Sequence, residues 1–188
     1  MGKIVALTYV SLDGVMDNPV WTGPYFNGDH AKYAHGQLFV ADALLLGRVT
    51  YEGMSAAWPH MEESEGEFAV RMNSLPKHVV STTLERADWN AEVVSGELAI
   101  EIREIRDRYT GDVLLYGSGE LQSSLVRLGL VDELKLWIHP VVVGRGKRLF
   151  PETAPSTSWT LAGTTTFSSG AVLLDLRPER RAAQAPEA

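Results

Sequence analysis

The spacing of apolar residues along the chain predicts strands that alternate with helices. Short runs of apolar and β-branched residues, typical of strands buried on both faces, lie at residues 3–10, 43–46, 77–81, 91–94 and 113–116. Apolar residues at helical spacing predict helices at about residues 30–42, 48–58, 62–73, 98–109 and 118–128. This alternation is typical of a mostly parallel sheet with helices on its faces.

The last third of the chain predicts consecutive strands instead. A strand at residues 132–144 is followed by alternating segments at residues 158–167 and 171–177, joined by the turn residues Ser168-Ser-Gly170. This pattern indicates an antiparallel hairpin. The predicted fold class is therefore α/β, a three-layer arrangement with a mixed, mostly parallel sheet. Residues 1–177 are expected to form one domain, and the Pro-, Glu- and Ala-rich residues 178–188 a disordered tail.

Composition and charge exclude several classes of protein. The 188 residues, 45% of them hydrophobic, suffice for one well-packed domain, and the net charge of -7 argues against a nucleic-acid partner. The absence of cysteine excludes disulfides and thiolate metal sites, and the five histidines lack ligand spacing, so no metal is expected. No apolar run approaches the ~20 residues of a membrane span, which favours a cytoplasmic protein without a membrane partner.

The turn Gly117-Ser-Gly119 separates a buried strand from a helix. Ser118 is a suitable N-cap for that helix, and Gly129 lies where a left-handed C-cap is expected. Two glycines let backbone amides approach an anion such as a dinucleotide pyrophosphate, at the favourable end of the helix dipole. A plain turn, in which the glycines only permit positive φ, is an equally good interpretation, since Gln122 replaces the third glycine of the dinucleotide fingerprint.

Two further turns follow predicted strands and carry small or anion-binding residues: Gly47-Arg48-Val-Thr50 and Ser81-Thr-Thr83. Because the carboxyl ends of parallel strands lie at one edge, the three turns are expected to line one crevice. A cation such as Arg48 is disfavoured at a helix start unless an anion is near, and a 2′-phosphate or pyrophosphate would supply one. The alternative to anion binding is that the Arg48 side chain only extends into water.

The segment between the first strand and the first helix is a long loop that carries Trp21, Tyr25 and Phe26. Aromatic residues on such a loop suggest a lid or a ligand wall, although they could equally plug the edge of the core. Two aspartates flank this loop. Asp13 also suits a turn, and Asp29 also suits a helix N-cap.

Several motifs together resemble a known family. Leu45-Leu-Gly-Arg-Val-Thr-Tyr-Glu52, Val79-Val-Ser-Thr-Thr83 and Leu115-Tyr-Gly-Ser-Gly-Glu-Leu121 resemble the NADPH-binding elements of dihydrofolate reductase. The chain is more similar at both ends to the C-terminal reductase domain of the riboflavin-biosynthesis bifunctional deaminase-reductase. That likeness is carried by Ser11-Leu-Asp-Gly14, Trp21-Thr-Gly-Pro24 and Leu128-Gly-Leu-Val-Asp-Glu-Leu134. It covers the chain to about Arg177.

The resemblance implies a dihydrofolate reductase-like sheet that binds NADPH across its strand ends, in a stand-alone family member. The implied cofactor-binding residues are Ala6, Gly47, Arg48, Thr50, Ser81, Thr82, Gly117, Ser118, Gly119, Glu120 and Leu121. Trp21, Phe26 and Tyr116 are expected on the substrate side. The candidate catalytic residues are Asp13 and Asp29. By the resemblance, the helix carboxylate that assists pterin protonation in dihydrofolate reductase would correspond to a position near Asp29.

The expected activity is hydride transfer from NADPH to a C=N-type bond of a small heterocycle, as in 5-amino-6-(5-phosphoribosylamino)uracil reductase. The chain departs from that reductase domain by having Tyr116 where an acidic residue precedes the glycines, and by lacking its basic residue after Thr22-Gly23. A nucleotide-binding protein without turnover and a dihydrofolate or pterin reductase therefore remain alternatives. The resemblance also makes a homodimer plausible.

Overall fold

The computed structural model describes residues 1–150, 154 and 156–179, and within them one sheet of eight strands forms the centre of the molecule. The strands are β1 (Lys3–Ser11), β2 (Ala41–Gly47), β3 (Lys77–Val80), β4 (Ala91–Val94), β5 (Asp112–Tyr116), β6 (Glu133–His139), β7 (Trp159–Thr166) and β8 (Val172–Pro178). Their order is β4-β3-β2-β5-β1-β6-β8-β7. The first six are parallel, and β8 and β7 add as an antiparallel hairpin. The predicted fold class is confirmed.

In the described part of the chain, six α-helices connect and cover the strands: α1 (Gly28–Val40), α2 (Arg48–Ala57), α3 (Glu62–Glu65), α4 (Glu67–Ser74), α5 (Leu98–Arg108) and α6 (Gly119–Arg127). A 3-10 helix at Pro19–Tyr25 lies within the long loop before α1, and a second at Trp58–His60 follows α2. The helix predicted at 62–73 is in fact two helices, because Gly66 adopts φ 56° between them. None of the helices that the structure describes is both long and apolar enough to cross a membrane.

The strand predicted at residues 132–144 is shorter than expected. It ends at His139, before Pro140, because proline has no amide proton for the next ladder bond. The chain beyond it turns back onto the loop after β1, where Val141 O accepts from Leu12 N (2.8 Å) and Lys147 O accepts from Met16 N (2.9 Å). The basic loop at 145–148 is therefore part of a ribbon beside the end of β1.

The hydrophobic core has a layer on each face of the sheet. On one face α5 and α6 pack through Ile102, Ile105 and Leu125. On the other face α1, α2 and α4 contribute Leu38, Tyr51 and Met72. This confirms the three-layer arrangement.

The boundary of the proposed tail lies at the end of β8. This strand includes Pro178, and Glu179 N donates to Ser158 O (3.0 Å). The rest of the segment predicted as a disordered tail, residues 180–188, lies outside the described residues.

Candidate functional site

Three turns meet at the carboxyl ends of β3, β2 and β5, which are neighbours in the sheet. Gly47 is paired with Val80, directly before Ser81, and Leu45 is paired with Leu115, two positions before Gly117. The turns 47–50, 81–83 and 117–119 therefore lie side by side at one sheet edge, as the sequence predicted. We refer to these three turns as the glycine edge.

Hydrogen bonds link two of these turns directly. Ser118 Oγ accepts from Gly47 N (2.8 Å) and donates to Thr50 Oγ1 (2.9 Å). Ser118 occupies the N-cap position of α6 in the left-handed region (φ 54°), yet its side chain makes no cap bond. The predicted N-cap position of Ser118 is therefore confirmed, but its hydroxyl joins the two turns instead of capping the helix. The proton of the Thr50 hydroxyl remains free to donate elsewhere.

The two glycines of the 117–119 turn differ in what would oppose a side chain at each position. Gly117 adopts φ 53°, which disfavours any residue with a Cβ. A Cβ on Gly119 would lie 2.7 Å from Met16 Sδ. The long loop after β1 therefore reaches the amino end of α6, and a side chain at residue 119 would displace the flexible end of Met16.

Arg48 begins α2 beside the glycine edge, and it already has an anionic partner. Its Nη1 donates to both carboxylate oxygens of Glu52, at 2.9 and 3.0 Å, one helical turn away. Both side chains are about half exposed. A cation at this helix start is therefore explained by its own neighbour, which sequence reasoning had not considered.

Ser81 and Thr82 lie at the glycine edge but differ in what they can offer a ligand. Ser81 is buried, and its hydroxyl accepts from Thr83 N (3.2 Å) and Leu84 N (3.0 Å), so it serves the turn itself. Thr82 is exposed. Of these two residues, only Thr82 presents a side chain openly to solvent.

The remaining predicted cofactor residues occupy the core or the rim. Ala6 is fully buried in β1, and Leu121 is buried in α6 within the same core layer. Glu120 is exposed in the first turn of α6 and pairs with Lys147 at 3.3 Å. Ala6 and Leu121 are thus core residues beside the glycine edge, whereas Glu120 lies at its surface.

A small cavity of about 50 Å³ adjoins the glycine edge at the carboxyl ends of β1 and β5. It is lined by Leu7, Thr8, Tyr9, Met16, Pro19, Tyr116 and Gly117. We refer to it as the tyrosine pocket. Burial raises the pKa of both Tyr9 and Tyr116 above the usual value of a phenol, and the mutual proximity of the two groups raises that of Tyr116 further. Both side chains are therefore neutral phenols at physiological pH.

Asp13, one of the two candidate catalytic residues, holds two loops together. Its carboxylate accepts from Ser11 Oγ (2.6 Å), Val143 N (3.0 Å) and Gly144 N (2.9 Å). The Ser11 bond first, and then the backbone bonds, lower the pKa of Asp13 to about 2. Asp13 thus supports the turn-forming interpretation, because its acceptor capacity is used by the chain itself.

Asp29, the other candidate, is bound to the turn of the C-terminal hairpin. Its carboxylate accepts from Ser168 N (2.7 Å) and Ser168 Oγ (2.9 Å), and these bonds, the backbone one first, lower its pKa. The expected N-cap role is wrong, because α1 begins at Gly28 with Asn27 at the cap position. Asp29 instead anchors the first turn of α1 to the hairpin.

A buried group of rings, which the sequence did not predict, lies beside the tyrosine pocket. We refer to it as the aromatic wall, and its members are Tyr9, His30, Trp137, His139 and Phe167. His30 stacks on Trp137 with centroids 4.2 Å apart, and Trp137 stacks on Phe167 at 4.8 Å. The edge of Tyr9 meets three of the other rings at 5.5–5.9 Å. The wall joins β1, α1, β6 and the hairpin.

Two loop residues predicted on the substrate side pack against this wall. Trp21 meets His139 edge-on at 5.4 Å, and Phe26 lies against His30 at 4.6 Å with 42% of its surface exposed. Neither lines the tyrosine pocket, whereas Tyr116 does. The alternative that the loop aromatics plug the edge of the core is therefore supported for Trp21.

The two histidines of the wall are fully buried and only half satisfied. His30 Nδ1 lies 2.9 Å from Tyr25 O, and His139 Nδ1 lies 3.2 Å from Trp137 O, so each Nδ1 carries the proton. Neither Nε2 has a hydrogen-bond partner among the described residues. Burial lowers the pKa of both imidazoles, because it penalises the charged form.

Comparison with known proteins identifies the family. Residues 2–173 match the RibD C-terminal domain. The uncharacterized protein YyaP of Bacillus subtilis (strain 168) is 34% identical over 133 residues, which cover 70% of this chain and 71% of that protein.

Solved structures with low sequence identity show the fold. Dihydrofolate reductase from Enterococcus faecalis, complexed with NADP(H) and RAB-propyl, is 17% identical with a TM-score of 0.65, covering 95% of this chain and 97% of that one. The diaminohydroxyphosphoribosylaminopyrimidine deaminase/5-amino-6-(5-phosphoribosylamino)uracil reductase of Thermotoga maritima is 15% identical with a TM-score of 0.67, covering 94% of this chain and 56% of that one. The chain therefore has a dihydrofolate reductase-like fold and belongs to the RibD C-terminal domain family, the reductase domain family of riboflavin biosynthesis.

Proposed function

We infer that this protein is an oxidoreductase that uses NADPH to reduce a C=N-type bond of a small heterocyclic substrate. The observation that carries the inference is the glycine edge, in which three turns from adjacent strands form one surface. Membership of the RibD C-terminal domain family supports the same reaction class. By analogy with the Thermotoga maritima reductase, 5-amino-6-(5-phosphoribosylamino)uracil is the first substrate to test.

The residues of the glycine edge suit a pyrophosphate. The amino end of α6 provides unpaired backbone amides and a favourable dipole for an anion. The free hydroxyl proton of Thr50 can donate to a phosphate oxygen, since Ser118 Oγ already donates to Thr50 Oγ1. The carboxylate of Glu120 would repel phosphate, so Glu120 contributes through its backbone amide. Bound NADPH would supply the hydride, and the chain would align it with the acceptor carbon.

Arg48 is the residue best suited to a 2′-phosphate. A guanidinium can form two charge-assisted bonds to a phosphate, as it now does to the Glu52 carboxylate. Cofactor binding would therefore exchange one anion for another at Arg48. Glu52 competes with the phosphate and lowers the apparent affinity.

A second candidate function, a nucleotide-binding protein without turnover, is favoured by the state of the two aspartates. Asp13 and Asp29 both use their carboxylates as loop anchors, and both have lowered pKa values. Neither is therefore a ready proton donor near neutral pH. The glycine edge would be retained in such a protein, whereas reduction of a substrate would be absent.

Two measurements separate these functions. NADPH affinity is measured by titration calorimetry, and NADPH oxidation is then followed with 5-amino-6-(5-phosphoribosylamino)uracil and with dihydrofolate as acceptors. Oxidation with either acceptor supports the reductase and identifies its substrate class. Tight binding without oxidation of any acceptor supports the binding protein, and the absence of NADPH binding would rule out both.

Substitutions at Arg48 and Glu52 test the cofactor assignment with opposite signs. Arg48→Ala is expected to weaken NADPH binding about tenfold or more and NADH binding little, because only NADPH has a 2′-phosphate. Glu52→Gln is expected to strengthen NADPH binding, because it removes the competing carboxylate. Equal weakening of both cofactors by Arg48→Ala would assign Arg48 to the pyrophosphate or to helix structure.

A further inference from the structure

A chain of three hydrogen-bonded side chains lies where β3, β4 and the end of α5 meet. His78 of β3 is paired in register with Glu92 of β4. Its Nδ1 lies 2.8 Å from Glu92 Oε1, and its Nε2 lies 2.9 Å from the hydroxyl oxygen of Tyr109, the residue that follows α5. Within the described part of the chain, His78 is the only histidine bonded through both ring nitrogens. We refer to these three residues as the phenol triad.

The chemistry of the partners fixes the direction of both bonds. A carboxylate only accepts, so the proton of the neutral His78 ring is on Nδ1 and is donated to Glu92. Nε2 is then an acceptor, and the Tyr109 hydroxyl donates to it. A nucleophile that donates to a base, which a third group orients, is the arrangement found in catalytic triads.

The surroundings keep both the base and the nucleophile neutral at physiological pH. Burial lowers the pKa of His78, against the effect of Glu92, and the charge of Arg108 lowers it further. Burial and then Glu92 raise the pKa of Tyr109. Asp42 of β2 also raises it, whereas Arg108 lowers it. Tyr109 therefore needs a base to become a nucleophile, and the unprotonated imidazole of His78 is in place to act as one.

The phenol triad is open to solvent on one side. His78 is buried, but the side chains of Glu92 and Arg108 are each about half exposed, and Tyr109 is partly exposed. Arg108 Nη1 donates to Glu92 Oε1 (2.7 Å) and so fixes the carboxylate that orients the imidazole. A proton on Nε2 would create an imidazolium beside that carboxylate, which would stabilise the new charge.

We propose that Tyr109 is an acyl-accepting residue, a nucleophile that His78 activates towards small activated acyl donors such as aryl esters. In this step the Tyr109 oxygen forms a bond to the acyl carbon, and the phenol proton passes to His78 Nε2. The bond between the acyl carbon and the aryl oxygen breaks, and the aryl oxide leaves. The inference does not depend on the cofactor, because Tyr109 precedes β5 whereas the glycine edge follows it.

The test is acetylation of the full-length protein by p-nitrophenyl acetate, followed through release of p-nitrophenolate and by peptide mass spectrometry. We expect a burst of about one p-nitrophenolate per chain and an acetyl group on Tyr109. Tyr109→Phe should abolish this burst. Tyr33→Phe is the matched control, since Tyr33 is a ring of the core that packs on Trp137 and Phe167. Acetylation of lysines alone, at a rate unchanged in Tyr109→Phe, would overturn the inference.

Two further substitutions separate activation of the phenol from packing around it. His78→Gln keeps a hydrogen-bonding side chain but removes the base, so it should slow acetylation of Tyr109 about a hundredfold. Glu92→Gln changes a half-exposed side chain, so it preserves the fold while removing the carboxylate that orients the imidazole, and it should also slow acetylation. Urea unfolding shows that each variant is folded. Wild-type rates in both variants would assign the phenol triad to structure alone.

The pH dependence of acetylation distinguishes a base-assisted phenol from a free one. With His78 as the base, the rate should rise as the imidazole loses its proton and become level above about pH 6.5, because burial holds the pKa of His78 below its ordinary value. A phenol without a base reacts through its phenolate, so its rate keeps rising to about pH 10. His78→Gln should show this second profile, and the same profile in the wild type would contradict the proposal.

Discussion

The glycine edge and the aromatic wall lie on either side of the tyrosine pocket, yet they are built in different ways. In the glycine edge one side-chain hydroxyl joins two of the turns, that of Ser118 between Gly47 and Thr50. In the aromatic wall the histidines are buried, and one nitrogen of each ring has no partner in the part of the chain that the structure describes. The edge therefore offers a ligand its backbone amides, whereas the wall positions rings and carries unused hydrogen-bonding groups.

The side chains that have hydrogen-bonding groups left for a ligand are therefore not the ones that the sequence suggested. The sequence suggested Asp13 and Asp29 as catalytic residues, but both carboxylates anchor loops. Neutral groups nearby have no such role, among them the Nε2 atoms of His30 and His139, which have no partner among the described residues. We therefore expect substitutions in the wall to reduce stability, and substitutions in the glycine edge to reduce cofactor affinity.

The largest effect is expected from Trp137→Ala. Trp137 is fully buried and stacks on two rings of the wall, so truncation should lower the free energy of unfolding by about 3–5 kcal/mol, measured in urea. NADPH affinity, measured at low temperature where the variant remains folded, should change little. Trp137→Phe, which retains a ring, should cost less. A loss of NADPH affinity comparable with the loss of stability would contradict the separation of the two regions.

A smaller effect is expected from Gly117→Ala in the glycine edge. The left-handed backbone at Gly117 should cost alanine about 1–2 kcal/mol of stability, while the added methyl group would lie an ordinary 3.5 Å from Thr50 Oγ1. NADPH affinity should fall as well. Gly53→Ala is the control, because Gly53 lies in α2 with open space around it, and there alanine should stabilise by about 0.5–1 kcal/mol. Unchanged NADPH affinity in Gly117→Ala would count against the cofactor assignment.

The buried histidines make stability depend on pH. Their pKa values are lowered by burial, so the unfolded chain binds more protons once the pH falls below about 6.5, and stability should decrease from there downward. Besides burial, the charge of Asp29 raises the pKa of His30 and so opposes the effect there. His30 lowers the pKa of His139 further and so reinforces the effect of burial at that residue. Asp13 contributes in a separate range, since its stabilising effect is lost as the pH falls from about 4 to about 2.

Urea unfolding between about pH 8 and about pH 5 measures this dependence. His139→Gln should flatten the slope, and His78→Gln provides a comparison at a third histidine whose pKa burial also lowers, far from the wall. If the slope of His139→Gln matched that of the wild type, His139 would not be the source of the acid sensitivity.

Local signals in the sequence predicted most of the fold. Buried strands and amphipathic helices have periodicities that depend on near neighbours, so the turns at Gly47, Ser81 and Gly117 were correctly placed at one edge. The bounds predicted for the helix at 62–73 and the strand at 132–144 were wrong for local reasons that hydrophobic periodicity does not show. Gly66 lies within a Glu-rich helical pattern, and Val141 to Val143 continue an apolar run although Pro140 has ended the strand.

The long-range contacts of the site could not be predicted in the same way. Ser168 bonds to Asp29 from 139 residues away, and nothing near either residue indicates the other. The wall likewise depends on the register that places Tyr9 beside Trp137. Even the short-range pair of Arg48 and Glu52 was missed, because an external phosphate explained the cation equally well.

The smallest effect is expected from Asp29→Asn on turnover. If Asp29 only anchors the hairpin, the amide retains an acceptor for Ser168 N, and kcat with whichever acceptor is reduced should change by less than about threefold. A proton donor would contribute about 10²- to 10⁴-fold, so the two roles are well separated. Ser168→Ala removes the anchoring hydroxyl from the other side and should likewise leave kcat nearly unchanged. A hundredfold loss in Asp29→Asn with none in Ser168→Ala would restore Asp29 as a catalytic residue, because the anchor alone could not explain it.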